Sequence, residues 1–479
     1  MTYDIIIIGA GLGGLFAGAK LAKEGKSVLL LEQHDRPGGC ATTFTRKGYT
    51  MEVGLHEMDG LHPTDGKTKI FTELGLFDSV DFLAVPEFYR FMHGKTDLVM
   101  PHDRASAEAL LKENFPDQSD GIAKYFERLM NARRINVMER DQPDISIGEY
   151  LDSIFTSEEI KLFLLGNLGY FHDDPYSLSL RYFAMAESAY FNGRANFIKG
   201  GSQELSNKMV EIIRANGGKV LLNHRVSSVL CEGDRIIGVK FINVLPGNHV
   251  EAEARAEKFI ANAALPRVAE MIQSDKAKDL ENELSGQAIG ASLLTVYFGF
   301  SKSLKELGHT HYSTFVFDDS ITSQKDIAEN NRSGFDTRSF TFVDYSQVDA
   351  ALAPPGKSVG AVCCIDYLDD WTSLSKEEYR ARKKEAAEAF TRRLEKIIPG
   401  CSEYMEHVEV GTAKTVQRYT LNPQGAVYGF AQHPNRKFTD SLKFFTNLYT
   451  ASAWGKFGGG FSGAIFSGYM TATDILRGK

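Results

Sequence analysis

The chain has 479 residues, 43% of them hydrophobic and 24% charged, and a formal net charge of −8. Such a chain is long enough for more than one globular domain, and its acidic balance argues against a nucleic-acid partner, which needs a basic excess. Its five cysteines (Cys40, Cys231, Cys363, Cys364 and Cys401) show no C-x-x-C or zinc spacing, so neither a disulfide framework nor a metal centre is expected, and a reducing cytoplasm fits best.

At the N-terminus, Ile5 to Ile8 are four β-branched residues in a row, which suits a strand buried on both faces of a parallel sheet rather than a signal peptide. Gly9, Gly11 and Gly14 follow in the G-x-G-x-x-G spacing, with Gly13 inside it. The first glycine permits a tight turn, the second lets backbone approach a pyrophosphate, and the third lets helix pack on strand. A helix over residues 12–23 would then aim its N–H groups at that pyrophosphate. Residues 28–31 read as a second strand. Glu32 at its end can accept hydrogen bonds from ribose hydroxyls, with Gln33 beside it. A glycine turn alone is a weak signal, but strand, helix, strand and acid together predict a bound dinucleotide.

Arg36, Gly38 and Gly39 come next, and the paired glycines allow a second close backbone approach. With Glu32 they complete the spacing E-x(3)-R-x-G-G, in which the chain resembles FAD-containing flavoproteins. The resemblance implies FAD, not a nicotinamide dinucleotide. Arg36 by itself reads equally well as a solvated charge. In flavoproteins of this pattern the following segment runs beside the flavin, which makes His56 and Glu57 the first titratable groups expected there. His56 is a candidate proton relay, against the plainer reading of a histidine satisfied by backbone.

Residues 61–196 change to helical periods mixed with loops. Helices are expected over 105–114 and 121–136, and a capping box at Ser146 and Glu149 opens another. The aromatic-rich stretch 181–192 is either core or the wall of an apolar pocket. Residues 199–226 return to α/β grammar: glycine turn, helix to 214, Gly217-Gly218 stop, and a strand ending at Val226. Two hairpins then turn at 232–234 and 246–248, and residues 258–262 form another strand. Strands over 291–300, 314–317 and 359–365 would floor a substrate cavity. The first is the longest apolar run, well short of the roughly 18–20 residues that span a membrane. The charged helix 375–398 reads as a solvated face, with peripheral contact to anionic lipid as the alternative. At the C-terminus come a strand at 447–452, a glycine loop containing Gly459, Gly460, Phe461 and Ser462, and a helix over 464–476 with Ser462 as its N-cap. Two rows of small residues (Gly463, Ser467, Thr471 and Ala464, Gly468, Ala472) suit that helix to tight packing.

These blocks at both ends and in between resemble the carotenoid desaturase, carotene isomerase and retinol saturase group. The resemblance implies an α/β fold: a Rossmann-like FAD-binding domain (glutathione-reductase-type parallel sheet plus β-meander) built from residues 1–60, 197–284 and 420–479, with an interleaved α+β substrate domain from 61–196 and 285–419. FAD would be held by Gly9, Gly11, Gly13, Gly14, Glu32, Gln33, Arg36, Gly38, Gly39, Val226 (through its backbone at the adenine edge), Gly459, Gly460, Phe461 and Ser462. His56 and Phe461 are the catalytic candidates, and no metal is called for. The implied chemistry is hydride exchange between flavin N5 and a carbon of an apolar isoprenoid or polyene substrate, giving desaturation, saturation or isomerisation, with little demand for an acid or base. The electron acceptor is left open. Two alternatives stand: an amine or amino-acid oxidase, with Trp454 and Phe461 as a flanking aromatic pair, and a non-catalytic lipid-binding module resembling the Rab escort and dissociation-inhibitor proteins. The expected location is the cytoplasm, with membrane contact left open.

Overall fold

Ile5, Ile6, Ile7 and Ile8 are all buried, and their alternation divides the first sheet into two covered faces. The computed structural model describes residues 2–478. Strand Thr2–Ile8 lies parallel between Val28–Leu31 and the long strand Glu251–Ala261, with Lys219–Leu221 outside Val28–Leu31. Ile5, Ile7, Val28 and Leu30 face the helix Leu12–Lys23 and its neighbours, whereas Ile6, Ile8, Leu29 and Leu31 pack with Val226, Val229, Val239 and Phe241. The latter come from His224–Glu232 and Arg235–Asn243, which form an antiparallel meander with the first half of Glu251–Ala261. Both hairpins lie where the glycine turns place them. Leu448–Thr450 joins the same sheet parallel to the end of Glu251–Ala261.

The two terminal helices meet where side chains are missing. A Cβ on Gly13 would fall 1.9 Å from the Ala451 carbonyl oxygen, and one on Gly468 would fall 2.0 Å from the Gly13 carbonyl oxygen. Helix Gly460–Leu476 therefore crosses helix Leu12–Lys23 at backbone contact, which accounts for the row of small residues.

A second seven-stranded sheet runs in the order Met405–Gly411, Ser292–Phe300, Ser358–Asp366, Phe340–Asp344, Ser313–Val316, Tyr89–His93 and Thr96–Met100. Leu294, Val296, Phe298 and Phe300 face the 22-residue helix Lys376–Ile397, through its Ala386, Ala389, Phe390 and Leu394. The intervening residues of the strand point to the opposite side, where a cavity lies.

Several expectations are corrected. Residues 61–196 are not only helix and loop, because Tyr89–His93 and Thr96–Met100 form a hairpin at the edge of the second sheet. The partner of that hairpin, Ser313–Val316, lies over two hundred residues away, so no local period announces it. The helix expected over 121–136 is broken at Asn131, whose side chain hydrogen-bonds the Glu127 carbonyl and competes with the backbone ladder. Val226 does not end a strand. The chain kinks at Asn223 (φ 59°) and Val226 lies inside the next strand, opposite Phe241. Nor does Ser462 cap the last helix, which starts at Gly460 with Gly459 as N-cap and leaves Ser462 inside the first turn.

Gly468→Ala is expected to lower the unfolding free energy by about 1–3 kcal/mol through overpacking. Gly334→Ala, whose Cβ would meet nothing within 4 Å, should stay within about 0.5 kcal/mol. Urea titration of the two variants checks the contrast.

Candidate functional site

Two glycine turns lie side by side at the carboxyl end of the first sheet. Gly38 donates its N–H to the Ala10 carbonyl at 2.7 Å, and Gly11 and Gly38 form a parallel bridge. Gly9 (φ 98°) and Gly38 (φ 123°) adopt backbone that side chains disfavour. The Asn262 side chain spans the first turn, donating from Nδ2 to the Gly9 carbonyl at 2.9 Å. A Cβ on Gly11 or on Gly14 would each come within 3.0 Å of it. The glycines thus make room for a protein side chain as well as for a ligand. Helix Leu12–Lys23 begins with Gly11 as N-cap, without a capping side chain and without an acid in its first turn. Its leading N–H groups and positive dipole end are left for an anion.

Glu32 is buried at the end of Val28–Leu31, where Oε2 accepts the Ala10 N–H at 2.7 Å and Oε1 accepts the His34 N–H at 2.8 Å. Those bonds fix the carboxyl at the rim of the turn. Burial raises its pKa, against the pull of the two N–H groups. Gln33 turns away to the Tyr419 carbonyl at 3.0 Å. Arg36 pairs with Asp35 and donates to the Thr43 carbonyl at 2.8 Å, half-exposed, which ties the second turn to strand Thr43–Arg46. Glu52 ties the following loop in the same way, accepting from the N–H groups of Val53, Gly54, Leu55 and Ser202.

A cavity of ≈ 1370 Å³ opens between the second sheet, helix Leu180–Gly193, residues 53–59 and the loop Gly459 to Gly463. Ligand pockets usually run to about 300–1,000 Å³, so this one has room for a planar ring and a long ligand together. Leu129, Met130, Leu168, Phe171, Leu293, Phe315, Phe317 and Ile327 give it a largely apolar wall. Tyr182, Met185 and Tyr190 show that the aromatic stretch 181–192 faces the cavity. Phe461 lines it, as does Tyr428, whose backbone a Cβ on Gly459 would strike at 2.5 Å. Trp454 does not: it is buried edge-on against Phe430 at 4.9 Å, in the core behind the first sheet. The aromatic pair expected of an amine oxidase at Trp454 and Phe461 is therefore not formed by these residues.

Polar and charged side chains also line the cavity, among them Asp59, Lys67, Arg133, Arg181, His172 and Lys456. The Ser462 hydroxyl donates to Asp59 at 2.5 Å, and Asp59 holds the Lys67 ammonium at 2.8 Å, which Asp65 also approaches at 3.3 Å. His56 is half-buried beside Tyr170, its ring edge-on at 5.7 Å, and its carbonyl accepts the Tyr312 hydroxyl. Its Nδ1 has no partner among the described residues, and burial lowers its pKa to about 4, so the imidazole is neutral. Glu57 follows with neither carboxyl oxygen partnered; burial, reinforced by the charge of Glu187, holds its pKa well above the carboxylate range. Glu187 accepts the Asn167 amide N–H at 2.9 Å, and burial pushes its pKa to about 8.

Residues 12–476 match the family model of the flavin containing amine oxidoreductases. The chain belongs to that family. It is 26% identical to an all-trans-retinol 13,14-reductase of Danio rerio over 92% of this chain and 79% of that protein. To a chloroplastic prolycopene isomerase of Daucus carota it is 25% identical over 99% of this chain and 80% of that one. An oxidoreductase of Methanosarcina mazei shares the fold, with a TM-score of 0.67 at 18% identity over 99% of this chain and 100% of that chain. As a member of this family the chain is an FAD-dependent oxidoreductase, with the α/β architecture of a Rossmann-like FAD-binding sheet and its meander.

The residues present fit FAD. The cradle at Gly9, Gly11 and Gly38 is one that side chains would fill, and it sits at an uncapped helix start with a buried acid at its rim. Gly9, Gly11, Gly13, Gly14, Glu32, Gly38 and Gly39 are brought together there. His56, Gly459, Gly460, Phe461 and Ser462 are brought together at the cavity. Gln33 and Arg36 are spent on protein contacts, and the Val226 side chain is buried in the meander core. Asn262, Asp59, Lys67 and Tyr428 are the site residues that the motifs did not single out.

Glu187 makes stability depend on pH. Its folded pKa of about 8 lies above that of the unfolded chain, so its stabilising effect is complete below the ordinary carboxylate range and is lost as pH rises to about 8. The slope approaches about 1.4 kcal/mol per pH unit. Glu187→Gln is expected to flatten the fall in urea midpoint between about pH 5 and 8.

Proposed function

We propose that this enzyme alters carbon–carbon bonds of an apolar, polyene-type substrate lying in the large cavity. The observation that carries the reading is the meeting, in one cavity, of an apolar wall and the glycine loop at the start of helix Gly460–Leu476. The two relatives, an all-trans-retinol 13,14-reductase and a prolycopene isomerase, support it. FAD, when bound, supplies hydride exchange at N5, a chemistry shared by saturation, desaturation and isomerisation.

The chain's own residues bind and orient. The uncapped start of Leu12–Lys23 would hold the pyrophosphate and Glu32 the ribose. The start of Gly460–Leu476, also without a capping side chain or a first-turn acid, would face the flavin and favour negative charge on it. Asp59 and Lys67 hold Ser462, and with it the first turn of that helix, in position. The apolar part of the wall gives a hydrocarbon chain a surface to bury against. The same reading assigns residues 1–60, 197–284 and 420–479 to FAD, and 61–196 with 285–419 to the substrate. The second sheet supports it, since it draws its strands from both latter segments.

Anaerobic mixing of the purified enzyme with polyenes, retinoids and simple amines tests the reading. Polyenes or retinoids are expected to bleach the oxidised flavin or reoxidise the reduced one, with amines inert. Bleaching by amines alone, with peroxide formed on admission of air, would establish the oxidase instead.

A further inference from the structure

The cavity wall carries one carboxyl that the protein does not use. Glu57 is 7% exposed and lines the cavity; among the described residues neither oxygen closes a hydrogen bond, and the facing Tyr170 hydroxyl only pulls its pKa down against the effect of burial. Among the described residues no cation pairs with it, and Lys67, which also lines the cavity, is committed to Asp59 and Asp65. The groups facing it are Glu187 from helix Leu180–Gly193, Glu87, Asp59 and the Tyr170 hydroxyl, joined by the neutral imidazole of His56 on its own segment. An unpaired ionised carboxyl in apolar surroundings is costly enough that the group takes up a proton. A neutral carboxyl on the wall of this cavity presents an O–H bond to a conjugated hydrocarbon lying there, and among the described residues no acceptor closes a hydrogen bond to it.

We propose that Glu57 is a catalytic acid, passing its carboxyl proton to one carbon of a conjugated double bond in the cavity. The step rests on the polyene reading above. The Glu57 O–H bond breaks, a C–H bond forms from the π electron pair, and the positive charge spreads along the remaining double bonds. After rotation about the weakened bond, loss of a proton to the Glu57 carboxylate restores the double bond in a new geometry, with no net oxidation. Capture of the cation by hydride from reduced flavin would give a saturated bond instead. Desaturation would require Glu57 to begin as a base, which its surroundings oppose. The acid therefore favours isomerisation or saturation.

The test uses the flavin-loaded enzyme in deuterated buffer with all-trans-retinol and prolycopene as probes. Wild-type product is expected to carry deuterium at a carbon of the altered bond. Glu57→Gln keeps the size of the side chain and removes a buried acid, so it should fold; it is expected to lower kcat by about 100-fold or more. Binding of the probe, read by fluorescence quenching, should remain within about threefold, and Glu57→Asp should recover part of the rate. Infrared difference spectra of wild type against Glu57→Gln need no turnover, and they should show a neutral carboxyl at pH 7. Polyene turnover with an unchanged Glu57→Gln rate, or without solvent deuterium, overturns the acid role alone. A carboxylate signal from Glu57, with amines and not polyenes bleaching the flavin, overturns both the acid role and the polyene reading.

Discussion

Everything in this molecule is hung from the crossing of its two terminal helices. Where Leu12–Lys23 meets Gly460–Leu476, backbone touches backbone, and the spaces that Gly13 and Gly468 leave empty set the separation. The crossing brings the start of each helix, neither capped by a side chain, toward one ligand. The first sheet fixes the height of this arrangement, since Leu448–Thr450 joins it only through Glu251–Ala261. Asn262, at the end of that strand, then reaches over the first glycine turn. Sequence separations of more than two hundred residues are thus closed by a few contacts that tolerate no added methyl group.

The legible parts of the sequence were those whose physics is local. Four consecutive β-branched residues, a glycine spacing and an acid at a strand end specify a strand–turn–helix–strand unit without reference to anything distant. The capping box at Ser146 marks its helix for the same reason. What escaped is non-local. The hairpin Tyr89–Met100 completes a sheet whose neighbouring strand comes from Ser313–Val316, and its own alternation is short. Asn262 owes its place over the turn to parallel pairing with Thr2–Ile8, which no spacing within its own segment announces. Ser462 looked like a cap because serine before an apolar helix commonly is one. Here Asp59, more than four hundred residues earlier in the chain, claims its hydroxyl, and the glycines ahead of it let the helix start sooner.

The polar groups of the cavity follow a different logic from those of the nucleotide turn. At the turn the buried groups are matched within the protein, Glu32 by two N–H groups and Gly38 by the Ala10 carbonyl, while the helix start is left open for an anion. At the cavity, His56 Nδ1, both oxygens of Glu57 and the Tyr170 hydroxyl stand without one. Buried polar atoms left unmatched cost stability, typically about 1–3 kcal/mol each, and they persist where function requires them. Burial lowers the pKa of His56 and raises that of Glu57, so both stay neutral: the imidazole unprotonated and the carboxyl still holding its proton.

A structure of the purified yellow protein with its cofactor in place shows where the flavin lies. The account predicts a single FAD, its pyrophosphate at the start of Leu12–Lys23, its ribose at Glu32, and its ring between Gly54 and the loop Gly459 to Ser462, with one face open to the apolar cavity. A nicotinamide dinucleotide in the turn, or a flavin ring lying away from Glu57 and the cavity, would contradict it.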